Sequence, residues 1–319
     1  MTDDLRGRTR GDLQGATLAG VTAIVDRALD EDAPWGDATS EAAIPASATA
    51  SARIVSRVDG VFAGGLALEL AFTRVDPSLD VERHVADGDP IAPGTQIATI
   101  TGSARGVLRG ERVALNLTQR LSGVATLTRR YVDAVGGAVS ASGQSVRLVD
   151  TRKTTPGLRV LEKAAVRAGG GHNHRFSLSD AVMLKDNHLA VLQSQGLDLT
   201  EAIRAVRQRI PHTMHLEVEV DRLDQLEAVI AAEPDTIMLD NFTLEDLRAG
   251  VALIAGRATV EASGGVTLDT VRAIAETGVD VISVGALTHS APALDLGLDI
   301  TIDAAQSVSE PGDGAGGAR

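Results

Sequence analysis

Apolar positions in this chain follow two rhythms, which change over near the middle. Residues 17–30 place Leu18, Val21, Val25, Ala28 and Leu29 at helical spacing, which predicts an amphipathic helix. From 52 to 102 the pattern reads as short strands, ARIVSRV and QIATI, around a helix-like FAGGLALELAF. A long helix is predicted over 111–135, with Val113, Leu117, Leu121, Val124 and Tyr131 as its apolar stripe. Beyond it, strand-like runs at 146–150, 181–185, 214–220, 236–240, 258–262 and 280–285 alternate with helical stretches. One of those helices is predicted over 156–168, with Thr155 as cap, Pro156 at its first position and Gly169 just past its end. Such β–α alternation means a parallel sheet, closed as a barrel or open and doubly wound.

These patterns divide the chain into a strand-rich amino-terminal domain over 1–113, a β/α domain over 114–303 and a low-complexity tail over 304–319. Residues 1–15 are expected to be frayed and the tail disordered. Residues 87–102 have the cadence of a biotinyl or lipoyl carrier hairpin but hold no lysine to carry the group, so that function is rejected.

Composition narrows the function. A net charge of −13 and only six aromatic residues argue against a nucleic-acid groove. With no cysteine there is no disulfide scaffold, thiolate zinc site or cysteine nucleophile. No apolar run reaches the roughly 20 residues of a membrane span. The polar amino terminus has no apolar signal core, so a cytoplasmic protein is expected. Of the 30 basic residues only three are lysine, Lys153, Lys163 and Lys185, all within one short window. In a chain that uses arginine almost everywhere, a lysine marks a place where a compact ammonium does what a planar guanidinium does not. The stretch 147–185 carries a net +5 on an otherwise acidic protein, which suggests a pocket for a small polyanion.

In a β/α barrel functional residues sit at the carboxyl ends of strands. Here those ends are Asp150-Thr151-Arg152-Lys153, Lys185-Asp186-Asn187-His188, Glu217 and Glu219, Asp240-Asn241, Ser263-Gly264-Gly265 and Val284-Gly285-Ala286. The glycine pairs suit either tight turns or a backbone cradle for phosphate. Glu219 and Asp240 suit either ordinary ion pairs or a site for Mg²⁺ and a ribose. His172, His174 and His188 lack the helical pairing of many zinc hydrolases, so hydrogen-bonding roles are expected. Lys163, beside Glu162 within a predicted helix, is expected to be solvated or to serve as a cap. No G-x-x-x-x-G-K-[ST] loop, G-x-G-x-x-G turn or G-x-S-x-G elbow is present.

Linked motifs in order over about 15–303 resemble the quinolinate phosphoribosyltransferases. They are Glu31-Asp32 with Gly36-Asp37-x-Thr39-Ser40, Glu111-Arg112-x-Ala114-Leu115-Asn116, Leu121-Ser122-Gly123 and Asp150-Thr151-Arg152-Lys153-Thr154 with Pro156-Gly157-Leu158-Arg159. Then come Gly169-Gly170-Gly171-x-Asn173-His174-Arg175, Lys185-Asp186-Asn187-His188, Glu217-Val218-Glu219-Val220 and Leu239-Asp240-Asn241. Glu261-Ala262-Ser263-Gly264-Gly265 and Val284-Gly285-Ala286-Leu287-Thr288-His289 complete the set. A Gly/Ser-rich stretch near 136–145 and Trp35 depart from the pattern.

The resemblance implies an α/β protein: a strand-rich sandwich followed by an incomplete, roughly seven-stranded β/α barrel. It implies transfer of phosphoribosyl from phosphoribosyl pyrophosphate to quinolinate, with release of pyrophosphate and CO₂, to give nicotinate mononucleotide in NAD synthesis. By motif, Arg152, His174, Arg175, Lys185 and Arg112 would hold quinolinate, with Thr151 beside them. Lys153, Glu219 and Asp240 would serve catalysis at the donor, with Mg²⁺ as cofactor near Glu219 and Asp240. The backbone of Ser263, Gly264, Gly265, Val284, Gly285 and Ala286 would cradle the 5-phosphate. A homodimer with Arg112 supplied by the neighbour, and neither nucleic acid nor membrane as partner, is also expected. Three other readings stay open: a related phosphoribosyltransferase with a different acceptor, a barrel aldolase with Lys185 as Schiff-base nucleophile, and a non-catalytic anion-binding module.

Overall fold

Thr17 opens the first helix of the computed structural model, which describes residues 17–194 and 196–303. The segments expected to be frayed (1–15) and disordered (304–319) lie outside the described residues. In α1 (Leu18–Asp32) the Thr17 hydroxyl accepts the Gly20 N–H at 3.1 Å, and Val21 and Val25 face the core. Asp37 caps α2 (Ala38–Ala43) by accepting the Thr39 and Ser40 N–H groups. There follow β1 (Thr49–Ser56), β2 (Gly60–Val61), α3 (Gly65–Val75), β3 (Asp80–Arg83), β4 (Pro90–Ile91) and β5 (Gln96–Ser103). No helix among the described residues is long and apolar enough to cross a membrane.

The long helix α4 (Ala104–Val135) has 32 residues and starts a full two turns before the predicted 111. Ser103, whose side chain accepts the Gly106 N–H, fixes that earlier start. The helix packs on α3 and also on elements of the barrel, so the 113/114 boundary read from sequence falls inside one rigid rod. At Gly123 an added Cβ would stand 1.9 Å from the Pro292 carbonyl oxygen, so the close approach of that later segment requires glycine.

The second half is built from β6 (Arg147–Val149), α5 (Arg159–Ala168), β7 (Val182–Leu184), α6 (Asp186–Gln193), α7 (Leu199–Arg209) and β8 (Leu216–Val220). It continues through α8 (Leu226–Ala231), β9 (Thr236–Asp240), α9 (Leu244–Ile254), β10 (Thr259–Ser263), α10 (Val271–Ala275), β11 (Val281–Ser283) and α11 (Ala286–His289). All six predicted strands form, and they pair in parallel in the order β6-β11-β10-β9-β8-β7. His172 adds a single rung beside β6: its N–H donates to the Leu148 carbonyl at 2.8 Å, and its carbonyl accepts the Asp150 N–H at 3.1 Å. Among the described residues no ladder joins that rung to β7, so the ring of six strands and one rung stays open there by hydrogen bonding. This is the incomplete, roughly seven-membered barrel that was expected.

Two expectations need correction. The helix predicted to start at Pro156 starts at Arg159, because Thr155 is used elsewhere. Its N–H and hydroxyl both donate to the buried Glu162 carboxylate, and Pro156-Gly157 make a turn with Gly157 at φ 84°. The last strand, β12 (Leu296–Asp303), was allotted to the barrel, yet it returns to the first sheet. That sheet has the order β12-β1-β5-β3, and β12 runs antiparallel to β1 with Ile54 opposite Leu298.

Candidate active site

Strand alternation decides what the barrel encloses. Along β8, Leu216, Val218 and Val220 point outward into the apolar layer under the helices, so Glu217 and Glu219 point inward. The same alternation turns Met183 and Lys185, Met238 and Asp240, Glu261 and Ser263, and Ser283 to the inside. All of these inward residues except Glu217, together with Thr151, Arg152, Lys153, His174, Arg175, Asn241, Gly264 and Gly265, line one cavity of about 590 Å³ at the carboxyl ends of the strands.

Cations and carboxylates divide the walls. Arg152 and Lys153 follow β6, Arg175 follows the His172 rung, and Lys185 follows β7. The Lys185 ammonium is ion-paired with the Glu219 carboxylate. Burial and the neighbouring Arg152 lower the Arg175 guanidinium below its ordinary pKa. Its Nη1 donates to the Ala181 carbonyl at 3.1 Å, fixing the head group over β7. Lys153 is exposed at the rim, and its carbonyl accepts the Thr288 hydroxyl at 2.7 Å. Asp240 accepts the Asn241 side-chain amide at 2.7 Å. Asn241 itself is left-handed, with φ 58°, and its N–H donates to the Ser263 carbonyl. Gly264, at φ 88°, lies so close that an added Cβ would meet the Asn241 side chain at 2.2 Å. That loop therefore needs glycine for both conformation and space.

His174, Glu217 and Glu261 form the floor. His174 Nε2 lies 3.3 Å from a Glu217 oxygen and 3.5 Å from a Glu261 oxygen. By distance alone these ligand atoms, all within 4.8 Å of one another, could hold a divalent cation. The hydrogen bonds favour a proton. Nε2 faces the two glutamate carboxylates, which hold a proton between themselves and the ring, while Nδ1 packs against the Arg175 backbone nitrogen. Burial opposes charge on the ring, but the two carboxylates outweigh it and raise His174 to about 9. Burial and the proximity of Glu261 raise Glu217 in turn. A proton shared between Nε2 and the glutamates satisfies both tendencies.

Most predicted site residues therefore meet in one place. Four do not line the cavity. Arg112 is exposed on α4. Val284 is buried, and its N–H is spent on the Val149 carbonyl at 3.0 Å, so it cannot cradle a phosphate. Gly285 stands just behind Lys153, whose Cδ would lie 3.0 Å from a Cβ at Gly285, and Ala286 opens α11. The histidines do not converge: His172 is exposed, and His188 Nδ1 accepts the Lys185 N–H at the start of α6. Sequence reasoning missed Met183, Met238, Glu261 and Ser283 as lining residues. The available signal was strand period two, since Met183, Met238 and Glu261 lie two positions before recognised strand ends.

Comparison with known proteins agrees with this geometry. Profiles of the quinolinate phosphoribosyl transferase N-terminal and C-terminal domains match residues 37–122 and 124–299. A probable nicotinate-nucleotide pyrophosphorylase [carboxylating] of Bacillus subtilis is 43% identical over 272 residues, covering 85% of this chain and 90% of its own. The nicotinate-nucleotide pyrophosphorylase [carboxylating] of Mycobacterium leprae is 42% identical over 285 residues, covering 86% and 95%. The crystal structure of NadC from Streptococcus pyogenes superposes with a TM-score of 0.83 at 39% identity, covering 90% of this chain and 98% of that one. Matched across both halves and over its cationic cavity, the chain belongs to the quinolinate phosphoribosyltransferase family.

Proposed function

We propose that the chain transfers phosphoribosyl from phosphoribosyl pyrophosphate to the ring nitrogen of quinolinate, releasing pyrophosphate and then CO₂ to leave nicotinate mononucleotide for NAD synthesis. The observation that carries this reading is the division of one cavity into a cationic wall and an acidic wall. Quinolinate is a planar dianion, and the Arg152 and Arg175 forks with the Lys185 ammonium match its two carboxylates. His174 supports them from below, because its ring nitrogens are already engaged by Arg175 and the glutamates. The donor lies along β8 to β10, with Lys153 toward its pyrophosphate, Glu219 and Asp240 facing the ribose, and the backbone of Ser263–Gly265 at the 5-phosphate. Fixed carboxylates at Glu219 and Asp240 stabilise positive charge developing at the anomeric carbon, so no covalent intermediate with the enzyme is needed. Loss of CO₂ follows because the new pyridinium stabilises the carbanion left on the ring.

Glu219 and Asp240 are hard oxygen donors, and one or two carboxylates plus substrate phosphates are the usual setting for Mg²⁺. They would hold the ion together with the donor pyrophosphate, and the ion would neutralise the leaving group. The exposed Arg112 fits a homodimer in the cytoplasm in which each subunit lends that arginine to its neighbour's cavity. The aldolase reading loses support from the Lys185–Glu219 pair, because a Schiff-base lysine must be a free amine. Turnover with quinolinate and with nicotinate as rival acceptors, at equal donor and Mg²⁺, tests the reading. Quinolinate is expected to be the better acceptor, and faster turnover of nicotinate would assign the site to a different pyridine.

A further inference from the structure

Lys163 is the one lysine of the three that the cavity does not use, and it is not on the surface. It sits on the inner side of α5 with 2% of its area exposed, against Asp150 at 0%. The expectation of a solvated or capping residue is therefore wrong. Its ammonium is ion-paired with Asp150 and also donates to the His174 carbonyl at 3.1 Å. Asp150 in turn accepts the His174 N–H at 2.9 Å and the Asn173 amide at 2.7 Å. The same Asn173 amide donates to the Lys163 carbonyl at 3.0 Å. Burial drives both partners toward neutrality, Asp150 upward and Lys163 downward, and each counters this in the other.

We propose that Lys163 is a positioning residue for the acceptor wall: its pairing with Asp150 clamps residues 173–174 to the end of β6 and so aims Arg175 and Arg152 into the cavity. Neither Lys163 nor Asp150 lines the cavity, so the clamp acts only through these neighbours. Arg152 lies two residues beyond Asp150, and Arg175 directly follows the clamped His174. The donor wall stands on β8, β9 and β10, which make none of these bonds. A planar guanidinium does not fit a slot shaped around one ammonium, which gives a reason for lysine here in an arginine-rich chain. The inference rests on the assignment of Arg152 and Arg175 to quinolinate.

The test separates positioning from stability. Lys163→Met alone leaves the Asp150 charge buried and unpaired and is expected to unfold at lower temperature. Lys163→Met combined with Asp150→Asn removes both charges, and Asn173→Ala loosens the clamp without touching either. Melting temperature and the KM values for both substrates are measured for each, with Arg175→Lys in parallel. We expect the double variant to recover most of its melting temperature while its quinolinate KM stays raised by about tenfold or more, with the donor KM within about twofold of wild type. Asn173→Ala should shift quinolinate KM in the same direction by less. Equal shifts of both KM values, or wild-type quinolinate KM in both the double variant and Asn173→Ala, would overturn the clamp. If Arg175→Lys leaves quinolinate KM unchanged, the acceptor assignment fails, and the clamp's stated purpose falls with it.

Discussion

Raising the pH should withdraw the proton held between His174, Glu217 and Glu261 and weaken the fold from inside the barrel. Folding raises the ring from its unfolded value near 6.5 to about 9, with burial opposing the shift and the two carboxylates outweighing it. The stabilisation is therefore complete below the unfolded value and is lost as pH rises through about 9. At 1.36 kcal/mol per unit the whole effect is about 3 kcal/mol, of which roughly half has gone by pH 8. The ring is 14% exposed, so solvent screening takes little from this figure. Glu217, raised by burial, acts in the same direction, since its unfolded form ionises first as pH rises. At about 2 °C per kcal/mol for a chain of this size, the melting temperature should fall by roughly 6 °C between pH 6 and pH 10 from this cluster. Other groups titrate too, so the decisive quantity is the difference between wild type and Glu261→Gln across that range, read by calorimetry. Removing one carboxylate should roughly halve the pH-dependent loss assigned to the ring. Parallel melting curves for the two proteins over the whole range would refute the shared proton.

Two further outcomes follow from the site. Asp240→Asn should impair turnover far more than quinolinate binding, because its charge is assigned to the donor side in the proposed mechanism. Calorimetric titration with each substrate checks this, and loss of quinolinate affinity with donor affinity intact would reverse the assignment. Arg112→Ala and Lys185→Ala should each be nearly inactive alone and regain activity when unfolded and refolded together. Random pairing makes about half the dimers mixed, and one intact site in each gives roughly a quarter of wild-type activity. No recovery, with mixed dimers demonstrated, would return Arg112 to its own subunit's surface.

Legibility in the sequence followed period and punctuation. The six barrel strands were readable because their apolar runs are bounded by polar or glycine ends, and those ends are where the cavity lies. The count of lysines pointed to Lys153 and Lys185 at the rim, and also to Lys163, whose place was then misjudged. A charged pair such as Glu162-Lys163 on a helix ordinarily marks the solvent face, but its partners are 7, 13 and 42 residues away in the chain. Arg120 and Thr155 bind Glu162, and Asp150 binds Lys163, so only the tertiary fold makes that face an interior one. The return of β12 was missed for a different reason. Leu296, Leu298, Ile300 and Ile302 alternate with polar residues as a half-exposed antiparallel strand does, and partner choice is not written in one strand's pattern. The motif Gly36-Asp37-x-Thr39-Ser40 proved to be a helix cap and does not line the cavity.

The most direct test of the account is stoichiometric: pyrophosphate and CO₂ followed together from quinolinate, phosphoribosyl pyrophosphate and Mg²⁺, with wild type and Lys185→Arg side by side. Lys185 pairs with Glu219 where the walls proposed for acceptor and donor meet, and a planar guanidinium cannot hold that carboxylate and a substrate carboxylate in the same geometry. The account predicts equal amounts of both products from the wild type, and loss of both together in a Lys185→Arg protein that still melts at the wild-type temperature. Full activity in Lys185→Arg, or pyrophosphate released by the wild type without matching CO₂, would contradict it.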